Sequence, residues 1–368
     1  MLHFYKTYYP DTFGGIEQFI FQLCKGGASH GVDSTVLSLS PRGVSDISFW
    51  HGHRVVTGKS TFEIASTPFS INSFGLFRKL VNECDIVHYH FPYPFMDMMH
   101  LINRVKKKTI VTYHSDIIKQ KKMLKLYQPL MTVFFNNIDH IVATSPNYME
   151  SSSILRKYRE KTSIIPLGIS PSSYPQVSIL FLNKWRNIIT GRFYLFIGAL
   201  RYYKGLDTLL EAAIGTAYPI VILGAGPSED SLKHKADTLG LSNVIFLGAL
   251  SDEDKVALLY LCYAIVFPSN FRSEAFGISL LEGAMFSKPL ITAEIGTGTT
   301  YVNIHLETGL VVTPSDPNSL RISMDYLWEH PDEAEKFGIA AKKRFDQLFT
   351  AEKMISKYIE LYNRLLTR

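Results

Sequence analysis

The sequence predicts an α/β protein of two doubly wound halves, each a parallel sheet covered by helices. Three observations predict it. Short apolar runs alternate with longer segments of helical periodicity along the 368 residues, the pattern of βα units. The alternation is interrupted at the turn-rich G168-I-S-P-S-S-Y-P-Q176 and restarts near Tyr194. The length also exceeds one ordinary domain. The expectation is two facing Rossmann-like domains with a cleft between them. They comprise residues 1–172 and 173–349, and a helical stretch, 350–368, crosses back onto the first.

In chain order, the apolar runs Leu2–Thr7, Ser34–Leu39, Ile86–His90, Thr109–Tyr113, His140–Thr144 and Ser163–Ile165 read as strands of the first half. Tyr194–Ile197, Pro219–Leu223, Val244–Leu247, Ala264–Pro268 and Pro289–Thr292 read as strands of the second. Hydrophobic content of 46% against 19% charged residues suits large cores. Cys24, Cys84 and Cys262 are odd in number and have no C-x-x-C spacing. A reducing compartment is expected, and a disulfide framework or a zinc-thiolate site is not. The first ten residues lack the apolar core of a signal peptide, and no run of about 18 apolar residues exists to span a bilayer.

Charge is unevenly shared. Residues 1–172 carry 19 lysines and arginines against 12 acids. The excess gathers in Arg104, Lys106, Lys107, Lys108, Lys119, Lys121, Lys122 and Lys125, ahead of the apolar run L126-Y-Q-P-L-M-T-V-F-F135. Basic residues beside amphipathic apolar surface hold a protein on an anionic leaflet. A solvated lysine face on a core helix is the alternative.

Ligands of open α/β sheets bind beyond the carboxyl ends of the strands, so chemistry is expected in the turns that follow them. After the first strand, Gly14-Gly15 stand before a helical pattern, where backbone N–H groups can meet a phosphate. His114 in V111-T-Y-H-S-D116 would point into the cleft from a strand end. His88 and His90 share a strand face but lack a third ligand, so no metal is expected. In F196-I-G-A-L-R-Y-Y-K-G205, Arg201 and Lys204 open a helix and are placed to neutralise a diphosphate. L223-G-A-G-P-S228 lacks the third glycine of a dinucleotide fingerprint; Gly224 lies in this turn. Asp252-Glu253-Asp254 reads as helix capping after Ser251. A nucleotide base is expected against the backbone near Gly248 and Leu250.

The segment S273-E-A-F-G-I-S-L-L-E-G-A-M-F-S-K-P-L-I291 carries most information. Glu274 and Glu282 stand eight positions apart around Phe276-Gly277-Ile278. A helix beginning near Gly277 would offer free N–H groups to a phosphate. Eight residues of helix rise about 12 Å, roughly the span from a sugar across a diphosphate to a ribose. Two solvated glutamates on an amphipathic helix are the plainer alternative.

Taken together, these motifs resemble glycosyltransferase family 4, whose E-x7-E signature matches Glu274 and Glu282. The likeness runs on through I295-G-T-G-T-T-Y-V-N303 and E307-T-G-L-V-V312, and is strongest to bacterial O-antigen mannosyl- and rhamnosyltransferases. It implies the GT-B fold and retaining transfer without an obligatory metal or other cofactor. In that reading Glu274 holds donor-sugar hydroxyls and Glu282 the ribose, while Arg201, Lys204 and the amides near Gly277 grip the diphosphate. Gly14, Gly15 and His114 complete the site when the cleft closes. Many members place the phosphate-binding arginine where this chain has Ala199, and Arg201 is expected to substitute for it. The donor is expected to be GDP-mannose and the acceptor a lipid-diphosphate-linked saccharide. The protein is expected to be cytoplasmic, peripheral on the inner face of the plasma membrane, with no nucleic-acid partner. Other readings are another nucleotide sugar (dTDP- or GDP-rhamnose, a UDP-sugar), a soluble acceptor, or a non-catalytic binding partner.

Overall fold

The structure, a computed structural model, describes residues 1–12, 14–43, 45–64, 67–117 and 121–367. Two compact units result: Met1–Gly168 with Ala351–Arg368, and Ile169–Thr350. Sequence reading had placed the division at 172/173 and 349/350.

Among the described residues the first unit has ten strands: β1 (Leu2–Phe4), β2 (Thr35–Ser40), β3 (Ser45–Trp50), β4 (His53–Lys59), β5 (Phe62–Ile64), β6 (Thr67–Phe69), β7 (Ile86–Phe91), β8 (Lys108–Tyr113), β9 (His140–Ala143) and β10 (Thr162–Ile164). Eight of them make one sheet in the order β10-β9-β8-β7-β1-β2-β4-β3, parallel except for β3. The short hairpin β5-β6 stands apart from that sheet. Neither β3 nor β4 was foreseen. The run S-D-I-S-F-W of the edge strand β3 mixes polar residues into the strand, and H-R-V-V-T-G-K of β4, paired on both sides, has only Val55-Val56 between polar residues, so neither offers a continuous apolar signal.

The helix Ala351–Leu366 belongs to this unit and packs on the helix Gly15–Ala28. Its Met354, Ile355, Tyr358, Leu361, Tyr362 and Leu365 recur at helical spacing and are buried with Phe19, Ile20, Leu23 and Cys24.

The second unit is one parallel sheet of β11 (Tyr194–Ile197), β12 (Ile220–Leu223), β13 (Val244–Gly248), β14 (Ala264–Phe267), β15 (Leu290–Ala293) and β16 (Gly309–Val312). Its order is β13-β12-β11-β14-β15-β16. The chain winds from β11 outward to β13, then returns to β14 on the other side of β11. Strand order therefore reverses between β11 and β14, the place where an open α/β sheet leaves a crevice for a ligand. In the first unit the same reversal falls between β1 and β7.

Candidate active site

The turns after β11 and β14 meet at the reversal of the second sheet. Gly205, at φ 68°, makes this possible: a Cβ there would lie 1.9 Å from the Pro268 carbonyl oxygen. The turn Tyr202–Lys204 seats directly on the end of β14, and the Asn270 N–H donates to the Tyr203 carbonyl at 3.0 Å. Lys204, 8% exposed, thereby meets Glu274, and their side chains form an ion pair. The ammonium also lies 4.8 Å from the centroid of the Phe267 ring. Ser269 Oγ donates to the same Glu274 oxygen at 3.5 Å, and Thr297 Oγ1 holds the Glu274 carbonyl at 2.8 Å. Two of the predicted residues thus lie together, with the cation partnered by the carboxylate.

Arg201 precedes this turn, is exposed, and its carbonyl accepts the Lys204 N–H at 3.0 Å. Gly224 follows β12 at φ 137°, and a Cβ there would lie 2.1 Å from the Gly198 carbonyl oxygen. This close approach brings the ends of β11 and β12 together. Gly248 ends β13, the edge strand, and Leu250, two residues beyond it, is half-buried.

The span from Glu274 to Glu282 is not a continuous helix, and the 12 Å estimate does not apply. Glu274 closes a turn on Phe271, and the helix begins only at Ile278. Gly277, at φ 91°, precedes the helix with no side-chain cap; its carbonyl accepts the Leu280 N–H at 3.1 Å, and the N–H groups of Ile278 and Ser279 are the ones a ligand could meet. Phe276 is 2% exposed and packed against Phe349, so only its main chain can serve a ligand. Glu282 is 5% exposed. Its Oε1 accepts from the Tyr174 hydroxyl at 2.9 Å and lies 3.2 Å from Lys255 Nζ. Sequence reading missed both partners. In the sequence Tyr174 lies within a run of turn formers and Lys255 just beyond the acidic triplet, so neither stands out. That triplet opens a helix: Ser251 Oγ accepts from the Asp254 N–H, and Asp254 holds Lys184 and the Trp185 indole N–H.

In the first unit, Gly14 precedes the helix Gly15–Ala28 at φ −85°, which any residue adopts. A Cβ there would stand 3.0 Å from Glu17 Oε2, so a larger residue would press on that carboxylate. Glu17 accepts from Thr7 and Thr12, both at 2.8 Å, and thereby ties down the turn after β1.

His114 follows β8 and is 5% exposed. It ends a buried chain of imidazoles: His114 Nε2 to His90 Nδ1 at 3.1 Å, then His90 Nε2 to His3 Nδ1 at 3.1 Å. Strand register explains the chain, because His3 pairs with His88 across β1 and β7, and His90 lies two residues on, on the same face. The helix Ala351–Leu366 covers this face with hydroxyls. Tyr362 meets His88 Nδ1 at 2.9 Å, and Thr112 bridges His88 Nε2 and Tyr358. Burial holds the imidazoles neutral: His88 and His114 are depressed to about 3, and His3 and His90 fall well below their ordinary value. His3 supplies the third nitrogen that the sequence pair lacked, with ligand atoms of all three rings within 4.8 Å of one another. Both nitrogens of His88 and of His90 are already hydrogen-bonded, so the cluster is satisfied without a cation.

The description "Glycosyltransferase Family 4" matches residues 13–173, and "Glycosyl transferases group 1" matches residues 183–344. The chain is 55% identical over 351 residues to the D-rhamnosyltransferase WbpZ of Pseudomonas aeruginosa, covering 95% of this chain and 92% of that protein. It is 48% identical over 366 residues to the O-antigen chain mannosyltransferase C of Escherichia coli, covering 100% and 98%. Among solved structures, sucrose-phosphate synthase of Thermosynechococcus elongatus matches with a TM-score of 0.82 at 19% identity, covering 100% and 98%. The fold is GT-B, the protein is a glycosyltransferase, and the chain belongs to glycosyltransferase family 4.

Proposed function

We propose that the protein transfers mannose from GDP-mannose to a lipid-diphosphate-linked saccharide during O-antigen synthesis, with retention of configuration and no obligatory metal. The observation that carries this reading is the Lys204–Glu274 pair at the strand-order reversal, beside the uncapped helix at Gly277. The names of the two relatives support the sugar class, one acting with D-rhamnose and the other with mannose on an O-antigen chain. D-rhamnose is mannose without the 6-hydroxyl, so a rhamnosyl donor is the second reading.

In the proposed reaction the donor diphosphate lies against Arg201, Lys204 and the amides after Gly277, while Glu274 accepts from sugar hydroxyls. The bond from the anomeric carbon to phosphate oxygen breaks as the acceptor hydroxyl bonds to the same face of that carbon. The acceptor proton passes to the departing phosphate. Cations already held in place stabilise the charge developing there without reorganising. Glu282 holds the ribose, and the base rests near Gly248 and Leu250. On this reading the enzyme works at the inner face of the plasma membrane. Its helix Lys121–Asn137, with exposed Lys125 and Leu126, contacts anionic lipid; Leu126 is 85% exposed. Lys119 and the side chains of Lys121 and Lys122 lie outside the described residues. No described helix is long and apolar enough to cross a membrane.

The test is incubation with GDP-, UDP- and dTDP-sugars and a lipid-diphosphate N-acetylglucosamine acceptor, with or without one added mannose. Products are read by mass spectrometry with and without EDTA. One hexose added from GDP-mannose, insensitive to EDTA, is expected. Transfer only from a rhamnosyl donor would select the second reading, and transfer abolished by EDTA would refute metal independence.

A further inference from the structure

One carboxylate in the second unit is held more tightly than its helix requires. Glu282 Oε1 is shared by the Tyr174 hydroxyl at 2.9 Å and Lys255 Nζ at 3.2 Å. The same ammonium lies 2.9 Å from Asp252 and 5.1 Å from the centroid of the Tyr174 ring. Residues 174, 255 and 282 come from three separate elements and converge on one oxygen. The other oxygen, Oε2, has no partner among the described residues. An ionised carboxylate is an acceptor only, so the open oxygen suits the two neighbouring ribose hydroxyls, of which a 2′-deoxyribose keeps one and a 2′,3′-dideoxyribose none.

We propose that Tyr174 and Lys255 are positioning residues that aim Glu282 Oε2 at the ribose diol, so that the site selects ribonucleotide donors over deoxyribonucleotide donors such as dTDP-sugars. The inference rests on Glu282 being the ribose-holding group. Burial and the Glu282 carboxylate both raise the Tyr174 hydroxyl, which therefore stays a donor throughout the working pH range. Burial alone would lower the Lys255 ammonium, but Glu282 and Asp252 outweigh it and the group is raised. The oxygen that would otherwise compete for a ligand hydroxyl is permanently occupied, and the carboxylate cannot rotate away without breaking two contacts.

Calorimetric binding of GDP, UDP and their 2′,3′-dideoxy forms tests this in the intact protein, alongside Tyr174→Phe, Lys255→Met and Lys255→Arg. Wild type is expected to prefer the ribo form about tenfold or more, the scale of a hydrogen bond to a charged group. Tyr174→Phe and Lys255→Met should each erode that preference several-fold while dideoxy affinity holds, and should raise donor KM more than they lower kcat. Lys255→Arg should recover most of the preference. A merely structural role would weaken the ribo and dideoxy forms together, which would overturn the inference, as would variants that discriminate like wild type. If wild type itself binds both forms equally, the ribose role of Glu282 fails instead. Tyr174→Phe keeps the ring that packs under Lys255, so the test survives if Lys255→Met does not fold.

Discussion

At the scale of single residues, Glu274 and Lys204 are partners across 70 positions of sequence. Each was assigned separately from its own loop; the pairing adds that neither charge is buried alone. Glu274→Ala is expected to remove most transfer while the protein still folds, because the carboxylate sits in a turn outside the helix. Assay and circular dichroism check this, and wild-type rates from a folded variant would take Glu274 out of the site. Gly205→Ala should be worse for structure than for charge. The left-handed backbone alone costs about 1–2 kcal/mol with a Cβ present, and the Cβ would also press on the Pro268 carbonyl. A lower Tm with a weakened donor KM is expected; an unchanged Tm would mean the turn can lift off β14 freely.

Among elements, the helix Lys121–Asn137 and the helix Ala351–Leu366 follow different rules. The second is amphipathic and buries its apolar stripe on the first unit. The first leaves Leu126 and Val133 exposed beside Lys125. If it meets lipid, replacing lysines 119, 121, 122 and 125 with glutamine should weaken binding to anionic vesicles markedly, at about 1 kcal/mol per lysine lost. Donor binding should not change. Vesicle binding that persists would leave these lysines as a solvated face. The overlooked β3 and β4 belong to this scale too: β3 lies at the open edge, and β4 beside it buries Thr57 and Gly58 along with Val55 and Val56, so neither run is continuously apolar.

For the whole molecule, the buried imidazoles make acid stability a property of the first unit. Unfolded histidines titrate near 6.5, whereas His88 and His114 are depressed to about 3 by burial, and His3 and His90 move the same way. Their packed neighbours Tyr5, Phe19, Tyr358, Tyr362 and Thr112 are uncharged and offer a proton no compensation. The folded state therefore binds fewer protons than the unfolded one. Stability is complete above about pH 6.5 and declines as pH falls toward 3, by about 1.4 kcal/mol per unit for each such ring. Thermal unfolding between pH 7.5 and 5 should show a steep fall in Tm; a flat profile would mean the rings charge without cost.

Local sequence suffices for the α/β class, most strands of both sheets, the turns that carry Arg201, Lys204, Glu274 and Gly277, and the capping at Ser251. These are local properties of the chain: periodicity, glycines where φ must be positive, and a cap next to its helix. Tertiary structure alone decided that Lys204 meets Glu274, that Tyr174 reaches Glu282 across 108 positions, and that His3 joins His88, His90 and His114. Such meetings depend on the order in which strands lie side by side. That order is set by how whole elements pack, which no stretch of neighbouring residues records.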